Sequence, residues 1–452
     1  MVFYLILFFD QSIKAKENSS SFHSNLGELV AFSVSNASIK TINPVTKEVI
    51  DDREYIRVTK KEQPHPTSST LLPASTQDSN LSNYITDEEL NKLLFDDLNF
   101  DTDEKEKGKT ELSKSESWLP SISASIGFGF SDNPMYGPYV RESSGYTELE
   151  TESFIMRQGD PDYLSYVYFY GEGKRFFDLP DYKLSGILLL QGEHSYKPKK
   201  SNTSFGLKLR HTYYDQAFDF SDLALPFSMQ IISNKSEIIP HLGYQINSRS
   251  KVSIEASRGK EKYDLSSENN EDQKLQATLK FNQNKNYEWK GKIFNRWVQY
   301  DQRLKKNPDG TTLNNEKLNL SKLGTSLSVQ RESNYKWIRS VEFEIRYEDL
   351  FDNAGGYYDY GKISAKLSHL MKFENWNIET ELGWSDYQYD LRETSSGQTF
   401  DRKSNSLDFL VTRKLNTSWD AYLKWRFEED HSNSRDYEYF SNFWSIGINW
   451  AQ

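Results

Sequence analysis

From residue 118 onward, apolar and polar positions alternate with a period of two. That is the spacing of a β-strand, whose side chains point to opposite faces in turn. In the last stretch, 437–450, Phe440, Trp444, Ile446, Ile448 and Trp450 share one parity, while Ser441, Ser445, Gly447 and Asn449 take the other. Residues 418–429 set Trp419, Ala421, Leu423, Trp425 and Phe427 against Asp420, Tyr422, Lys424, Arg426 and Glu428. In 335–350, Val341, Phe343, Ile345 and Tyr347 alternate with Ser340, Glu342, Glu344, Arg346 and Glu348. In 376–389, Trp376, Ile378, Thr380, Leu382 and Trp384 alternate with Asn377, Glu379, Glu381 and Gly383. Each segment predicts a strand with one apolar face and one charged face.

Sixteen such segments can be laid out: 118–130, 146–157, 163–173, 183–196, 203–214, 236–246, 251–263, 273–282, 287–300, 318–332, 335–350, 358–373, 376–389, 404–415, 418–429 and 437–450. Their lengths suit tilted strands that cross a bilayer. The connections supply a second pattern. Short ones (247–250, 283–286, 333–334, 374–375, 416–417) alternate with longer ones (215–235, 264–272, 301–317, 351–357, 390–403, 430–436). A soluble sandwich needs no such alternation, whereas a membrane barrel has short turns at one rim and long loops at the other. The expected fold is all-β: an antiparallel up-and-down transmembrane β-barrel of about sixteen strands, within a range of about 14–18. The last strand closes it by pairing with 118–130. An even count puts both termini at the short-turn rim, the periplasmic side of such a barrel.

Composition is informative mainly through its aromatic residues. They make up 14% of a chain that is only 36% hydrophobic, with a mean hydropathy of −0.77. Disordered chains are poor in aromatics, and no apolar run is long enough for a membrane-crossing helix. A barrel with two aromatic girdles reconciles the two numbers, because lipid-facing residues are interleaved with polar ones.

Placing charged positions against lipid costs a few kcal/mol per Lys or Arg near the midplane, so the charged parity is expected to face the lumen. The predicted lumen set comprises Lys208, Arg210, Lys290 and Lys292, then Glu342, Glu344, Arg346, Lys362 and Lys366. It continues with Glu379, Glu381, Lys424, Arg426 and Glu428. Two readings are open for these groups. They line a water-filled pore and orient polar solutes, or they pair across neighbouring strands and partly fill the lumen. Glu342 and Glu344 are expected beside the strand bearing Lys362 and Lys366, which neighbours Glu379 and Glu381.

Ahead of the barrel region, residues 1–15 read as a shortened signal peptide: an apolar run at 2–9, then a cleavage position after Ala15. Residues 16–117 carry 19 acidic against 12 basic residues; residues 118–452 carry 46 against 42. Short strands are expected at 26–34 and 54–59, and a Pro-, Ser- and Thr-containing linker at 60–83. Thr86 and Glu89 form a capping box for one amphipathic helix, whose apolar face is Leu90, Leu93, Leu94 and Leu98. This segment is expected to lie in the periplasm, and two readings are open for its helix: docking on a periplasmic partner, or no specific docking role.

Other chemistries find little support. No basic stripe suits nucleic acid. The absence of cysteine excludes disulfides and thiolate metal sites. No metal-ligating or phosphate-binding motif implies a cofactor. The histidines are scattered; Ser368 with His369, and His431 with Glu429, Asp430 and Asp436, are the nearest approaches to a catalytic set. No catalytic site is expected. The region 347–361, with Glu348, Asp349, Asp352, Asp359, Tyr357, Tyr358 and Tyr360, offers two readings: a sugar or divalent-cation site, or girdle aromatics beside a solvated loop. The second is preferred.

Taken together, 118–452 resembles Gram-negative outer-membrane β-barrel proteins of porin size. The stretch Ser445-Ile446-Gly447-Ile448-Asn449-Trp450 looks like the signal read by the barrel-assembly machinery, with Trp444, Ile446, Ile448 and Trp450 as its apolar positions. It departs from that pattern in carrying Ala451 and Gln452 after the aromatic and Ser445 where glycine is commoner. The resemblance implies an outer-membrane protein surrounded by lipid and assembled by that machinery. It implies a channel for small polar solutes or an export pore, or else a non-conducting barrel that anchors surface-exposed binding loops. The long segment before the barrel is similar to that of export and lipoprotein-translocating barrels, but lacks their helical repeats.

Overall fold

The structure, a computed structural model, describes residues 117–452 apart from 138–140, 159–161, 180–181, 220–227, 285, 309, 334, 336 and 395. The expected signal peptide, short strands, linker and helix of residues 1–116 lie outside the described residues.

The alternating segments fold into sixteen antiparallel strands. The first four are β1 (Ser117–Ser131), β2 (Ser144–Gln158), β3 (Tyr163–Phe176) and β4 (Leu184–Tyr196). Next come β5 (Thr203–Asp219), β6 (Ser228–Asn247), β7 (Ser250–Tyr263) and β8 (Asn270–Asn284). Then follow β9 (Tyr287–Lys306), β10 (Thr312–Glu332), β11 (Ile338–Asp352) and β12 (Tyr360–Phe373). The chain ends with β13 (Trp376–Glu393), β14 (Thr399–Lys414), β15 (Trp419–Ser432) and β16 (Tyr439–Ala451). Each strand pairs with its sequence neighbours, and β1 pairs β16 to close the ring, with Ala124 opposite Trp450 and Phe130 opposite Trp444. Closure leaves no strand edge unpaired, which the interior of a bilayer requires.

Strand lengths differ from expectation mainly at one rim; at the other, β11 starts at Ile338 instead of 335. The connections expected at 215–235, 301–317 and 390–403 shrink to 220–227, 307–311 and 394–398, because the flanking strands run on. The physical reason lies in solvent. Beyond the lipid both faces of a hairpin can be polar, as in Gln302-Arg303-Leu304-Lys305-Lys306, so the period-two signal fades while backbone pairing continues. At the opposite rim, turns such as those between Asn247 and Ser250 or Phe373 and Trp376 stay short. The two rims also differ in charge. Connections at the long rim hold eleven Asp and Glu against three Lys and Arg; those at the short rim hold three against six.

The convex face carries the apolar parity. Ile126, Phe128, Leu188, Leu209, Ile238, Ile293, Leu327 and Ile446 are all exposed there. Trp425 and Trp444, cross-strand partners, stack with ring centroids 4.8 Å apart. Trp289 and Trp297 stand eight residues apart on β9, both exposed. At about 3.3 Å per residue and a tilt of roughly 40° that is about 20 Å along the barrel axis, close to the apolar band of a membrane barrel. The concave face identifies itself by contacts that skip a strand. Lys208 on β5 reaches Glu255 on β7 at 3.1 Å, and Tyr422 on β15 reaches Glu148 on β2 at 2.7 Å. Side chains converge this way only inside a curved wall.

Candidate functional site

The lumen face is a lattice of charges and aromatic rings. On β4–β8, Lys208 lies 3.1 Å from Glu255 and 4.0 Å from Glu193. Arg210 donates through Nε to Gln191 Oε1 at 2.9 Å and sits 3.7 Å from Glu237. Lys235 links Glu237 at 3.1 Å to Asp272 at 2.7 Å, and Arg296 of β9 binds the same aspartate with two donors. On β10–β14, Arg346 pairs with Glu348, Lys322 lies 3.9 Å from that carboxylate, and Lys366 meets Glu381 at 2.7 Å. Glu344 and Lys366 are direct register partners, the adjacency expected from sequence. Arg426 donates to Asp408 at 2.7 Å, and Arg402 grips Asp430 with two donors.

The other predicted positions fall on the same parity. Lys362 is buried, its ammonium 4.5 Å from the centre of the Tyr387 ring. Lys290 and Lys292 face Lys280 and Thr278 on β8. Glu342 and Glu379 lie along β11 and β13, and Lys424 and Glu428 along β15. A second group was not singled out from sequence although its parity was legible. Glu148, Glu150 and Glu152 of β2 share the concave parity with Glu172 of β3 and Glu193 of β4. Glu172 pairs with Lys174, and Tyr170 donates to it at 3.0 Å.

Charge is therefore segregated around the wall. In the evenly registered part of β8–β10 the concave parity holds Lys274, Lys280, Lys290, Lys292, Arg296 and Lys322 with Asp272, Glu288 and Glu332. That of β2–β4 holds the five glutamates with one lysine. The centres of these arcs, β9 and β3, stand six strands apart one way round the ring and ten the other.

Two large apolar clusters also face inward, and neither was expected. One joins Phe154, Met156, Tyr166, Tyr168, Tyr170, Ile187, Leu189 and Tyr214 across β2–β5. The other sits at the long rim, where Tyr357, Tyr358 and Tyr360 pack with Tyr300, Leu318, Leu320, Leu350, Tyr387, Tyr389 and Phe400. The reading of those three tyrosines as girdle residues is thus corrected: they turn inward. The local cause is Asp352, whose carboxylate accepts from the backbone N–H groups of Ala354 (2.7 Å), Gly356 (3.0 Å) and Tyr358 (3.0 Å). Gly356 supplies the positive φ of 83° that this turn needs. Asp359 Oδ1 accepts from the Asp352 N–H at 2.6 Å. Burial, joined by the nearby Asp352 charge, pushes the Asp359 carboxyl up to about 6. Arg392 inserts among these rings, 4.0 Å from the centre of Phe400, and Arg303 reaches the Tyr358 hydroxyl at 3.4 Å and Glu268 at 3.3 Å.

The weighed catalytic sets do not assemble. Ser368 faces the lumen and donates to Glu381 at 3.1 Å, while His369 points to the convex side. His431 lies 3.1 Å from Glu429, whereas Asp430 is turned inward to Arg402.

Fold and faces define a sixteen-stranded transmembrane β-barrel with a polar, charge-segregated lumen wall. No protein-family model matches the chain, and no curated protein matches it. Among solved structures it is similar to a bacterial polysaccharide outer membrane secretin at 9% identity and a TM-score of 0.40, over 74% of this chain and 98% of that one. It is similar to OccAB1 of Acinetobacter baumannii at 11% identity and a TM-score of 0.41, over 77% and 99% of the two chains. A BenF-like porin from Pseudomonas fluorescens Pf-5 matches at 9% identity and a TM-score of 0.41, over 75% and 100%.

Proposed function

We propose that the protein is a porin-like channel of the outer membrane that passes small polar solutes. The observation that carries this reading is the segregation of acidic β2–β4 from basic β8–β10 on the concave face. A ring of about sixteen strands has room for an aqueous lumen. Within it Lys280, 3.4 Å from Glu288, stands directly opposite Lys290 on the next strand, a charged patch of wall that suits a polar lumen better than an apolar filling. Solutes carrying both a positive and a negative group fit such a lumen, since each end finds its own wall.

In this reading Lys208, Arg210, Lys290, Lys292, Glu342, Glu344, Arg346, Lys362, Lys366, Glu379, Glu381, Lys424, Arg426 and Glu428 line the path. The short-turn rim and the C-terminus face the periplasm, and the acidic long rim faces outward. β16, with Trp444, Ile446, Ile448 and Trp450 on its apolar face and its backbone edge open until β1 pairs with it, serves recognition by the assembly machinery. Residues 16–117 meet a periplasmic partner.

A second reading, a non-conducting barrel that anchors surface loops, is favoured by the inward aromatic clusters, in which Tyr168 is 0% exposed. Liposome swelling separates the two. Vesicles holding the folded protein swell in isotonic small sugar or amino acid if the lumen is open. Swelling no faster than that of protein-free vesicles refutes the channel.

A further inference from the structure

We infer that the convex face of β5–β8, at the long rim, docks the phosphate-bearing head groups of membrane lipids. From Ser253 to the end of β7 exposure alternates strictly, so Ile254, Ala256, Arg258, Lys260 and Lys262 project outward in order. The apolar belt ends at one level across four strands. Leu275 of β8 is opposite Ala256, and Gln273 is opposite Arg258. On β6, Ile238 is opposite Arg258 and Ser236 is opposite Lys260; on β5, Leu209 precedes His211, whose Nδ1 lies 2.9 Å from Ser236 Oγ. Three cations therefore stand immediately beyond the belt, where head groups meet acyl chains.

Their partners inside the protein leave them outward-facing. Arg258 and Lys260 share one carboxylate, Glu271, at 3.1 Å and 3.8 Å, with side chains 71% and 53% exposed. Lys262 is exposed as well. The cations are two residues apart, roughly 7 Å per step along the strand, so each can meet a separate phosphate oxygen group. Arginine grips phosphate with two donors, and lysine stems lie along apolar surface while their charges reach the head-group layer. The same level on β11–β15 has the opposite character. Asp349, Asp386, Asp390, Asp401 and Glu429 project there with Lys403 and His431. An anionic lipid is thus drawn to one arc of the wall and repelled from another. The lumen does not enter this argument, so the proposal stands or falls independently of conduction.

The test uses the full chain in phosphatidylcholine vesicles containing phosphatidylglycerol, followed by native mass spectrometry of lipids retained on extraction. The wild type should retain phosphatidylglycerol over phosphatidylcholine, and R258Q/K260Q/K262Q should lower that preference by about tenfold or more. E271Q, which removes the competing carboxylate, should raise it, and R258K should preserve it. Heat-modifiable migration of each variant confirms a folded barrel. Equal retention by wild type and the triple variant overturns the proposal, as does displacement of the lipid by inorganic phosphate alone, which would mark a simple anion site.

Discussion

The seam that closes the barrel gives a direct prediction for Gly129→Ala. Gly129 lies in β1 opposite Ser445 of β16, and a β-carbon added there would meet Tyr146 Cζ at 2.3 Å and the Trp444 carbonyl oxygen at 2.4 Å. The ring could swing away, but the carbonyl belongs to the ladder and cannot. Moving the ring also breaks the hydrogen bond from the Tyr146 hydroxyl to Trp444 O (3.2 Å) and disturbs packing on Phe176, 5.5 Å away centre to centre. Overpacking costs about 1–3 kcal/mol and the lost hydrogen bond about 0.5–1.5 kcal/mol. Allowing for overlap between the two, the substitution should destabilise by about 2–4 kcal/mol. Urea unfolding in detergent micelles, followed by tryptophan fluorescence, measures this as a lowered midpoint with unchanged slope. Combining it with Tyr146→Ala should cost less than the sum of the two single changes, since the ring clash is then gone. A Gly129→Ala protein within about 0.5 kcal/mol of wild type refutes the close-approach argument.

Three other predictions concern the long rim. Asp352→Ala removes the acceptor for three backbone N–H groups, so hydrogen exchange at Ala354, Gly356 and Tyr358 should accelerate at least tenfold while strand amides keep their protection. Arg402→Leu leaves the buried Asp430 carboxylate without its two-donor partner and should cost about 3–5 kcal/mol, whereas Arg402→Leu/Asp430→Leu should recover much of it. Asp359, at about 6, holds its proton more tightly in the folded loop than an ordinary aspartate. The folded state therefore binds more protons, and loop stability falls as pH rises from the usual carboxylate range to about 6, then levels off. Exchange rates of the loop amides, corrected for intrinsic pH dependence, should show this fall, and Asp359→Asn should abolish it.

Where each strand had one apolar and one charged face, the sequence was enough. The segments 335–350, 376–389 and 418–429 set the parity of Glu342, Glu381 and Lys424, and the alternation of short and long connections set the up-and-down order. β3 shows the limit: Tyr166, Tyr168 and Tyr170 point inward while Val167 and Phe169 point outward. With both parities apolar no periodicity marks the faces, so the inward cluster on β2–β5 was invisible. The long rim failed for the opposite reason, polar residues on both faces, which hid the strand extensions. The inward turn of Tyr357 and Tyr358 depends on Asp352 capping N–H groups up to six residues ahead, a local geometry that composition does not announce. The glutamates at 148, 150 and 152 were legible by parity; their meaning emerged only once ring closure placed them across from the lysines of β8–β10.

We propose that two oppositely charged arcs face one another across an open lumen. Single-channel recording in planar bilayers under a salt gradient tests it most directly. Ohmic steps are expected, with a reversal potential that moves toward cation selectivity in Lys290→Gln/Lys292→Gln and toward anion selectivity in Glu150→Gln/Glu152→Gln. Electrical silence from inserted, heat-modifiable protein, or steps indifferent to both pairs of substitutions, would contradict it.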